Sequence, residues 1–172
     1  MNSYTLNFSS TFQLFNLSTF FKTIYSMNLS GTYTVNAPAQ TIWDMMMDPE
    51  VLARITPAIT KLEKIDDENF KAIAEVKIGP VGGAFSGNLK MVDKIQPESF
   101  KLIIQQNSKI GNAAAEVSMN LKALSETQTE VSFNGDVKLS GMLNTMGGRV
   151  ITPVANMLSK QFFEALEKEV NG

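Results

Sequence analysis

The fold is decided by residues 69–91, which read NFKAIAEVKIGPVGGAFSGNLKM. Small or apolar residues alternate with polar ones before the Gly79-Pro80 pair, so that Ala72, Ala74 and Val76 fall on one face. Side chains of a β-strand point alternately to its two faces, and a Gly-Pro pair marks a turn. The segment therefore predicts two antiparallel strands joined by a hairpin. A phosphate-binding interpretation of its glycines is rejected, because the loop joins two strands and does not lead into a helix.

The alternation extends over residues 59–140, with interruptions rich in Asp, Asn, Gly, Pro and Ser. These interruptions bound six segments of strand length, which is typical of an antiparallel meander. Residues 29–35 alternate in the same way and predict one strand before the meander. We therefore predict seven strands.

Helices are predicted after the first strand and at the end of the chain. Asn36-Ala37-Pro38 opens one short helix and Asp48-Pro49 opens a second, since Asp is a natural N-cap and Pro fits a first turn. Apolar residues recur every three or four positions over 143–166, which predicts one long helix that Gly147-Gly148 and Pro153 weaken near its start. The predicted fold class is α+β: a curved seven-stranded antiparallel sheet around a long C-terminal helix, with two short helices after the first strand.

The amino-acid composition limits the catalytic and metal-binding chemistry that this chain can perform. The chain has 172 residues, no His, no Cys, and 15 Lys and Arg against 17 Asp and Glu. The absence of His and Cys excludes imidazole-based triads, thiolate nucleophiles, disulfides and structural zinc. A slightly acidic chain is not typical of nucleic-acid binding. We predict one globular domain without a metal, a cofactor or a nucleic-acid partner, in the cytoplasm.

Residues 1–26 differ from the rest of the chain, with many Ser, Thr and Asn, several Phe and one charge, at Lys22. The segment lacks the basic start and continuous apolar run of a secretory signal. Two interpretations stay open. One is a disordered extension or gene-start artefact, and the other is a weak interfacial helix, because Phe8, Phe12 and Phe15 lie at helical spacing. The predicted domain is residues 27–172.

Several local motifs carry a family resemblance: Leu29-Ser30-Gly31-Thr32-Tyr33, Asp48-Pro49-Glu50-Val51-Leu52, Val76-Lys77-Ile78-Gly79-Pro80-Val81, Phe85-Ser86-Gly87 and Gln161-Phe162-Phe163. Through them the chain resembles the carbon monoxide dehydrogenase CoxG family, which belongs to the START and birch-pollen-allergen-like (SRPBCC) superfamily. It departs from many relatives at Thr56-Pro57-Ala58, where they place a Pro-Gly-Cys-like turn.

The resemblance implies a helix-grip fold and a quinone or lipid-like ligand. It also implies two partners, a molybdenum hydroxylase (carbon monoxide dehydrogenase) and the inner membrane surface. A peripheral position at the cytoplasmic membrane face is therefore the alternative to a freely cytoplasmic protein.

The inner faces of the predicted strands are uncharged and rich in Ala and Gly. A seven-stranded sheet around one helix encloses more space than small side chains fill, which predicts an apolar cavity. The alternative is that the small residues only permit curvature and close packing. Methionines favour the cavity, since flexible thioethers suit varied apolar guests. The predicted ligand-binding residues are Trp43, Met46, Met47, Ala74, Val76, Phe85, Gly87, Leu89, Met91, Leu102, Ala115, Met119, Phe133, Gly135, Met146, Val150 and Met157.

No catalytic residue is assigned, because acid–base catalysis needs a titratable group in the pocket and the predicted inner faces carry none. The nearest candidates are Tyr33, Asp44, Arg54 and Gln106, whose simpler interpretation is an edge or surface position. The predicted function is a non-enzymatic binder or carrier of an apolar small molecule, and the resemblance adds an accessory or membrane-recruitment role. Two alternatives stay open: a cyclase- or hydrolase-like enzyme of the same fold, and a protein-interaction module that uses the groove.

Overall fold

The computed structural model describes residues 25–172. Of the Phe-rich segment 1–26, residues 1–24 lie outside the described residues, and Tyr25 and Ser26 begin the first strand. The elements in chain order are β1 (Tyr25–Val35), α1 (Ala39–Met47), α2 (Pro49–Ile55), β2 (Ile59–Lys64), β3 (Asn69–Ile78), β4 (Val81–Ile95), β5 (Ser99–Ser108), β6 (Gly111–Ala123), β7 (Thr129–Leu139), α3 (Met142–Met146) and α4 (Gly148–Asn171). The predicted strands and the two short helices after β1 are confirmed.

The strands form one antiparallel sheet in the order β1-β7-β6-β5-β4-β3-β2. Strands β2 to β7 pair with their neighbours along the chain, while β1 pairs with β7. The register shifts between Val92 and Ile95 of β4, and Asp93 lies there at a φ of 52°. Such a bulge bends its strand and increases the local twist. The sheet curves and places its inner face toward α4.

The starts of two helices follow from local sequence. Asp48 Oδ1 accepts hydrogen bonds from the backbone N–H of Glu50 at 2.8 Å and of Val51 at 3.4 Å, so it caps α2 as predicted. The predicted weak point of the long helix is a break. Gly147 has a φ of 70°, in the left-handed region that favours glycine, and it separates α3 from α4.

Two apolar clusters form the core. The first joins α1, α2 and the end of α4 to the sheet and includes Ile42, Ile55 and Leu166. The second gathers around the start of α4 and includes Leu143 and Ile151. Residues of both clusters line the cavity described next.

Candidate functional site

A cavity of about 470 Å³ lies between the inner face of the sheet and α4. Its wall is built mainly from strands β3 to β7, from the α2–β2 turn (Thr56–Ile59) and from α4. Three wall residues have polar side chains, namely Thr56, Gln106 and Ser159, and none of the described residues in the wall is titratable. Pockets of this volume hold molecules of drug size. The arrangement can therefore shelter an apolar guest from water.

The space lies over a row of four residues across strands β3 to β6, three of which are small. Ala72 of β3 pairs with Gly87 of β4, Gly87 pairs with Gln106 of β5, and Gln106 pairs with Ala113 of β6. A Cβ at Gly87 would collide with the carbonyl oxygen of Gln105, so this close approach of β4 to β5 requires glycine. The helix backbone packs against α2 and β1 at the side of the sheet. Small side chains beneath α4 therefore leave an unfilled volume.

The predicted ligand-binding residues divide between the wall and the surrounding core. The wall includes Met46, Ala74, Val76, Phe85, Leu89, Met91, Leu102, Met119 and Phe133. The positions outside it are Trp43, Met47, Gly87, Ala115, Gly135, Met146, Val150 and Met157.

Two of the outside positions show why sequence alone does not select the wall. Trp43 is only 5% exposed and packs edge to face on Phe100, a wall residue, with ring centroids 5.7 Å apart. A Cβ at Gly135 would lie 2.8 Å from Cγ2 of Val117, so the neighbouring strand already fills the space inside Gly135. Both positions support the wall without reaching the cavity.

The contribution of α4 differs from the predicted one. Met157 is 44% exposed, and the helix instead places in the wall Ile151, Val154, Ala155, Leu158, Ser159, Phe162 and Phe163. Val154, Leu158 and Phe162 belong to the apolar stripe of the sequence and do line the cavity, whereas Val150 and Met157 of the same helix do not. The wall therefore includes part of the predicted stripe and neighbouring positions such as Ile151 and Phe163.

Among the four catalytic candidates, only Gln106 lines the cavity. The Tyr33 ring stacks on Phe163 at a centroid distance of 3.9 Å, within the core. Asp44 lies on the surface, where its Oδ1 accepts a hydrogen bond from Gln40 Nε2 at 2.8 Å.

Arg54 forms an ion pair with Glu169 that ties α2 to the end of α4. The hydrogen bond from the Arg54 guanidinium, more than its charge, holds the pKa of the Glu169 carboxyl below its ordinary value. The pair consequently stays charged at neutral pH. A surface depression beside it, of about 510 Å³, is lined in part by Lys168 and Ala165 and is distinct from the apolar cavity.

The α2–β2 turn contains a strained residue at the edge of the cavity. Ala58 has a φ of 67°, a value that residues other than glycine rarely adopt. Its carbonyl accepts a hydrogen bond from the backbone N–H of Glu75 at 2.8 Å, which holds the turn against β3. Ala58 belongs to the segment in which the chain departs from the turn of many relatives.

We expect Ala58→Gly to raise the free energy of unfolding by about 1 kcal/mol, because glycine adopts positive φ without the Cβ clash. Chemical denaturation measures the change. Ala53→Gly, inside α2, is the matched control and should lower the same quantity by about 1 kcal/mol. Destabilisation by both substitutions would contradict the strain at Ala58.

Within residues 25–172, no three His, Cys, Asp or Glu side chains are grouped so that they could hold a metal ion. None of the helices there combines the length and apolar character needed to cross a membrane.

Comparison with known protein families identifies the family of this chain. Residues 31–171 match the model of the family described as CoxG, a subunit of carbon monoxide dehydrogenase. The chain belongs to the CoxG family. The resemblance seen in the motifs is thereby confirmed. The match covers all of α4 and the whole of the sheet except the start of β1. Among curated proteins, none shows significant sequence similarity to this CoxG-family chain.

Solved structures show the same fold. A conserved protein from Geobacillus kaustophilus is 23% identical with a TM-score of 0.81, and the match covers 84% of this chain and 95% of that one. A START superfamily protein from Mycobacterium smegmatis is 19% identical, with a TM-score of 0.65 and coverage of 84% and 97%. The Zhui aromatase/cyclase from Streptomyces sp. R1128 is 15% identical, with a TM-score of 0.65 and coverage of 86% and 94%. At these identities the likeness shows the fold alone, and the predicted helix-grip fold is confirmed.

Proposed function

We propose that this CoxG-family chain is a non-enzymatic carrier of an apolar small molecule, a quinone or lipid-like compound, that it exchanges with a membrane. The observation that carries the proposal is the cavity of about 470 Å³ with no titratable side chain among its described wall residues. Acid–base catalysis requires such a group beside the substrate. The wall therefore favours binding over the cyclase alternative, although one protein of the same fold is an aromatase/cyclase.

The energetics of an apolar wall suit a carrier. A guest that buries on the order of 400 Å² of apolar surface gains roughly 10 kcal/mol relative to water, at about 25 cal/mol per Å². The gain is similar whether the shelter is a bilayer or the cavity. The free energy of transferring the guest from the bilayer to the cavity is therefore close to zero, and the protein can both load and release its cargo.

The charge distribution supports exchange at an anionic membrane surface. Segments 76–85, 105–115 and 137–157 meet at one end of the sheet, and each contributes residues to the cavity wall. They carry Lys77, Lys109, Lys138 and Arg149. We call these four residues the basic end. Glu75, just before the first segment, pairs with Lys77 at 2.8 Å and offsets part of this charge. Each Lys or Arg near an anionic bilayer contributes about 1 kcal/mol of attraction. The basic end would thus hold the protein at the membrane with the cavity close to the lipid.

The proposed partner rests on the description of the family and not on the cavity. The family is described by its relation to carbon monoxide dehydrogenase. This description supports an accessory role beside that molybdenum enzyme, with the cytoplasmic membrane face as the site of action. A quinone would be an apt cargo there, since an oxidising enzyme must pass its electrons to an acceptor.

The test uses the single Trp of the chain as a reporter. Trp43 packs on Phe100 in the cavity wall, so a quinone in the cavity should quench its fluorescence. We expect quenching when the protein is mixed with vesicles loaded with a prenylated naphthoquinone, several-fold faster with phosphatidylglycerol than with phosphatidylcholine vesicles.

Charge reversal supplies the matched control for this experiment. The double variant Lys109→Glu/Lys138→Glu, in the basic end, should lose the preference for anionic vesicles. The double variant Lys61→Glu/Lys122→Glu, on β2 and β6 away from that end, should keep it. Unchanged Trp43 emission with loaded vesicles would exclude the carrier, and equal rates on both vesicle types would exclude the membrane surface as its docking site.

A further inference from the structure

One side-chain atom in the described part of the cavity wall is buried without a hydrogen-bond partner. The Oε1 atom of Gln106 is buried, and no donor within residues 25–172 forms a hydrogen bond with it. Buried polar side-chain atoms are nearly always hydrogen-bonded, because an unpaired group loses its hydration without compensation. An unpaired carboxamide oxygen in a mainly apolar wall therefore indicates a missing hydrogen-bond donor, and a hydroxyl group of a bound molecule would supply it.

Gln106 is a wall residue of the cavity, and its surroundings leave the carboxamide oxygen without a hydrogen-bond donor. Its inward neighbours across the sheet are Gly87 on β4 and Ala113 on β6. Gly87 has no side chain and the methyl group of Ala113 has no hydrogen-bonding atom, so neither side chain pairs with the carboxamide. The strand alternation that places Leu102 and Ile104 in the wall also brings Gln106 there, two residues further along β5. A polar group is thus presented at a fixed point of the central strand.

We propose that the Gln106 carboxamide binds the polar group of the cargo, a neutral carbonyl or hydroxyl oxygen, and so fixes the orientation of the molecule in the cavity. This inference rests on the proposed carrier function. A carboxamide both donates and accepts hydrogen bonds. The unpaired Oε1 can accept from the hydroxyl of a quinol, and Nε2 of the same carboxamide can donate to the carbonyl of the corresponding quinone, so the group serves both redox forms of such a cargo.

The wall also indicates that the recognised group is neutral. The described lining contains no Lys or Arg, and an anion buried without a partner is strongly disfavoured. Of the other polar side chains, Ser159 donates its hydroxyl to the carbonyl of Ala155 at 3.0 Å and is already paired. Fatty-acid carboxylates and phospholipid phosphates are consequently poor matches. The ligand class is an apolar ring or chain with a carbonyl or hydroxyl oxygen.

The test compares two probes that differ in their oxygens, 2-methyl-1,4-naphthoquinone and 2-methylnaphthalene, by isothermal titration calorimetry. Gln106→Leu keeps the size of the side chain and removes its hydrogen bonds. We expect the variant to bind the quinone about tenfold more weakly and the hydrocarbon at least as tightly as the original protein. Gln105→Leu, the neighbouring residue with an exposed side chain, is the matched control and should change neither affinity.

The outcomes separate the two proposals. Equal losses for both probes in Gln106→Leu, or an unchanged affinity for the quinone, would overturn the recognition role of Gln106 and leave the carrier standing. No binding of either probe to the original protein would overturn the carrier itself. Decan-1-ol should bind more tightly than decanoate, and the reverse order would overturn recognition of a neutral group. Thermal unfolding checks the fold, and Gln106→Met provides a second apolar variant for the same comparison.

Discussion

Ala113→Trp is expected to empty the cavity of cargo while the sheet and α4 remain folded. Ala113 lies on the inner face of β6, opposite Leu139 and Gln106, and it belongs to the wall. An indole at this position projects into unfilled volume, so it competes with the guest more than with packed side chains. Overpacking of a filled core costs about 1 to 3 kcal/mol, and the open space should keep the cost below that range.

Mass spectrometry of organic extracts measures the effect. We expect the original protein, purified from quinone-producing cells, to carry an apolar compound that Ala113→Trp lacks or retains at roughly a tenth of the amount. Ala114→Trp is the matched control, because the adjacent residue faces the opposite side of β6. Cargo retained by a folded Ala113→Trp would show that it binds elsewhere. If extracts from all three proteins contained no apolar compound, the result would indicate that the cavity holds no cargo and is only a result of how the domain packs.

The structure also determines where such a substitution should be made. From the sequence alone, Gly135→Trp is predicted to fill the inner face, because Gly135 alternates with inward residues of β7. In the structure Val117 Cγ2 lies 2.8 Å from a Cβ placed at Gly135. A side chain at that position would first displace Val117. A loss of cargo from Gly135→Trp would therefore not distinguish filling of the cavity from distortion of the sheet.

Phe163→Ala is expected to lower the free energy of unfolding by about 4 kcal/mol, the typical cost of truncating a buried Phe. Phe163 is only 5% exposed. Its ring centroid lies 3.9 Å from that of Tyr33 and 5.8 Å from that of Phe133, so it joins α4 to β1 and β7. Alanine would remove both aromatic contacts and enlarge the cavity. For a domain of this size we expect the melting temperature to fall by about 10 °C.

The adjacent residue provides the control for this prediction. Phe162 also lines the cavity and packs edge to face on Phe163 at 5.2 Å, but it is only half-buried. Phe162→Ala should therefore cost about 1 to 2 kcal/mol, in proportion to the smaller area removed from water. Differential scanning calorimetry measures both variants. Equal losses at the two positions would contradict the anchoring role of the Tyr33–Phe163 stack.

Most of the secondary structure was predictable because its causes are local. The alternation on both sides of Gly79-Pro80 reflects the two faces of a strand, and those residues form β3 and β4. Asp48 caps α2 because a carboxylate one residue before a helix meets free N–H groups wherever the rest of the chain lies. Such signals need only neighbours along the sequence.

The weakness at Gly147-Gly148 was predicted from the sequence, and the structure shows a break there between α3 and α4. The sequence did not indicate which apolar residues beyond the break are buried. In α4, Ile151 and Val154 are buried, whereas Met157 is 44% exposed. Periodicity indicates an apolar stripe, and packing against the sheet decides which of its residues are removed from water.

By itself the sequence determined the order of strands and helices, the uncharged inner face of the sheet and the membership of the CoxG family, because these follow from residue patterns along the chain. Only the tertiary structure decided which inner residues border empty space. A cavity is what remains between β3–β6 and α4 after distant segments have packed, and no local pattern reports a volume. Gln106 illustrates the difference. Its alternation is visible in the sequence, but its isolation beside Gly87 and Ala113, with Oε1 buried and unpaired, exists only once the three strands lie side by side.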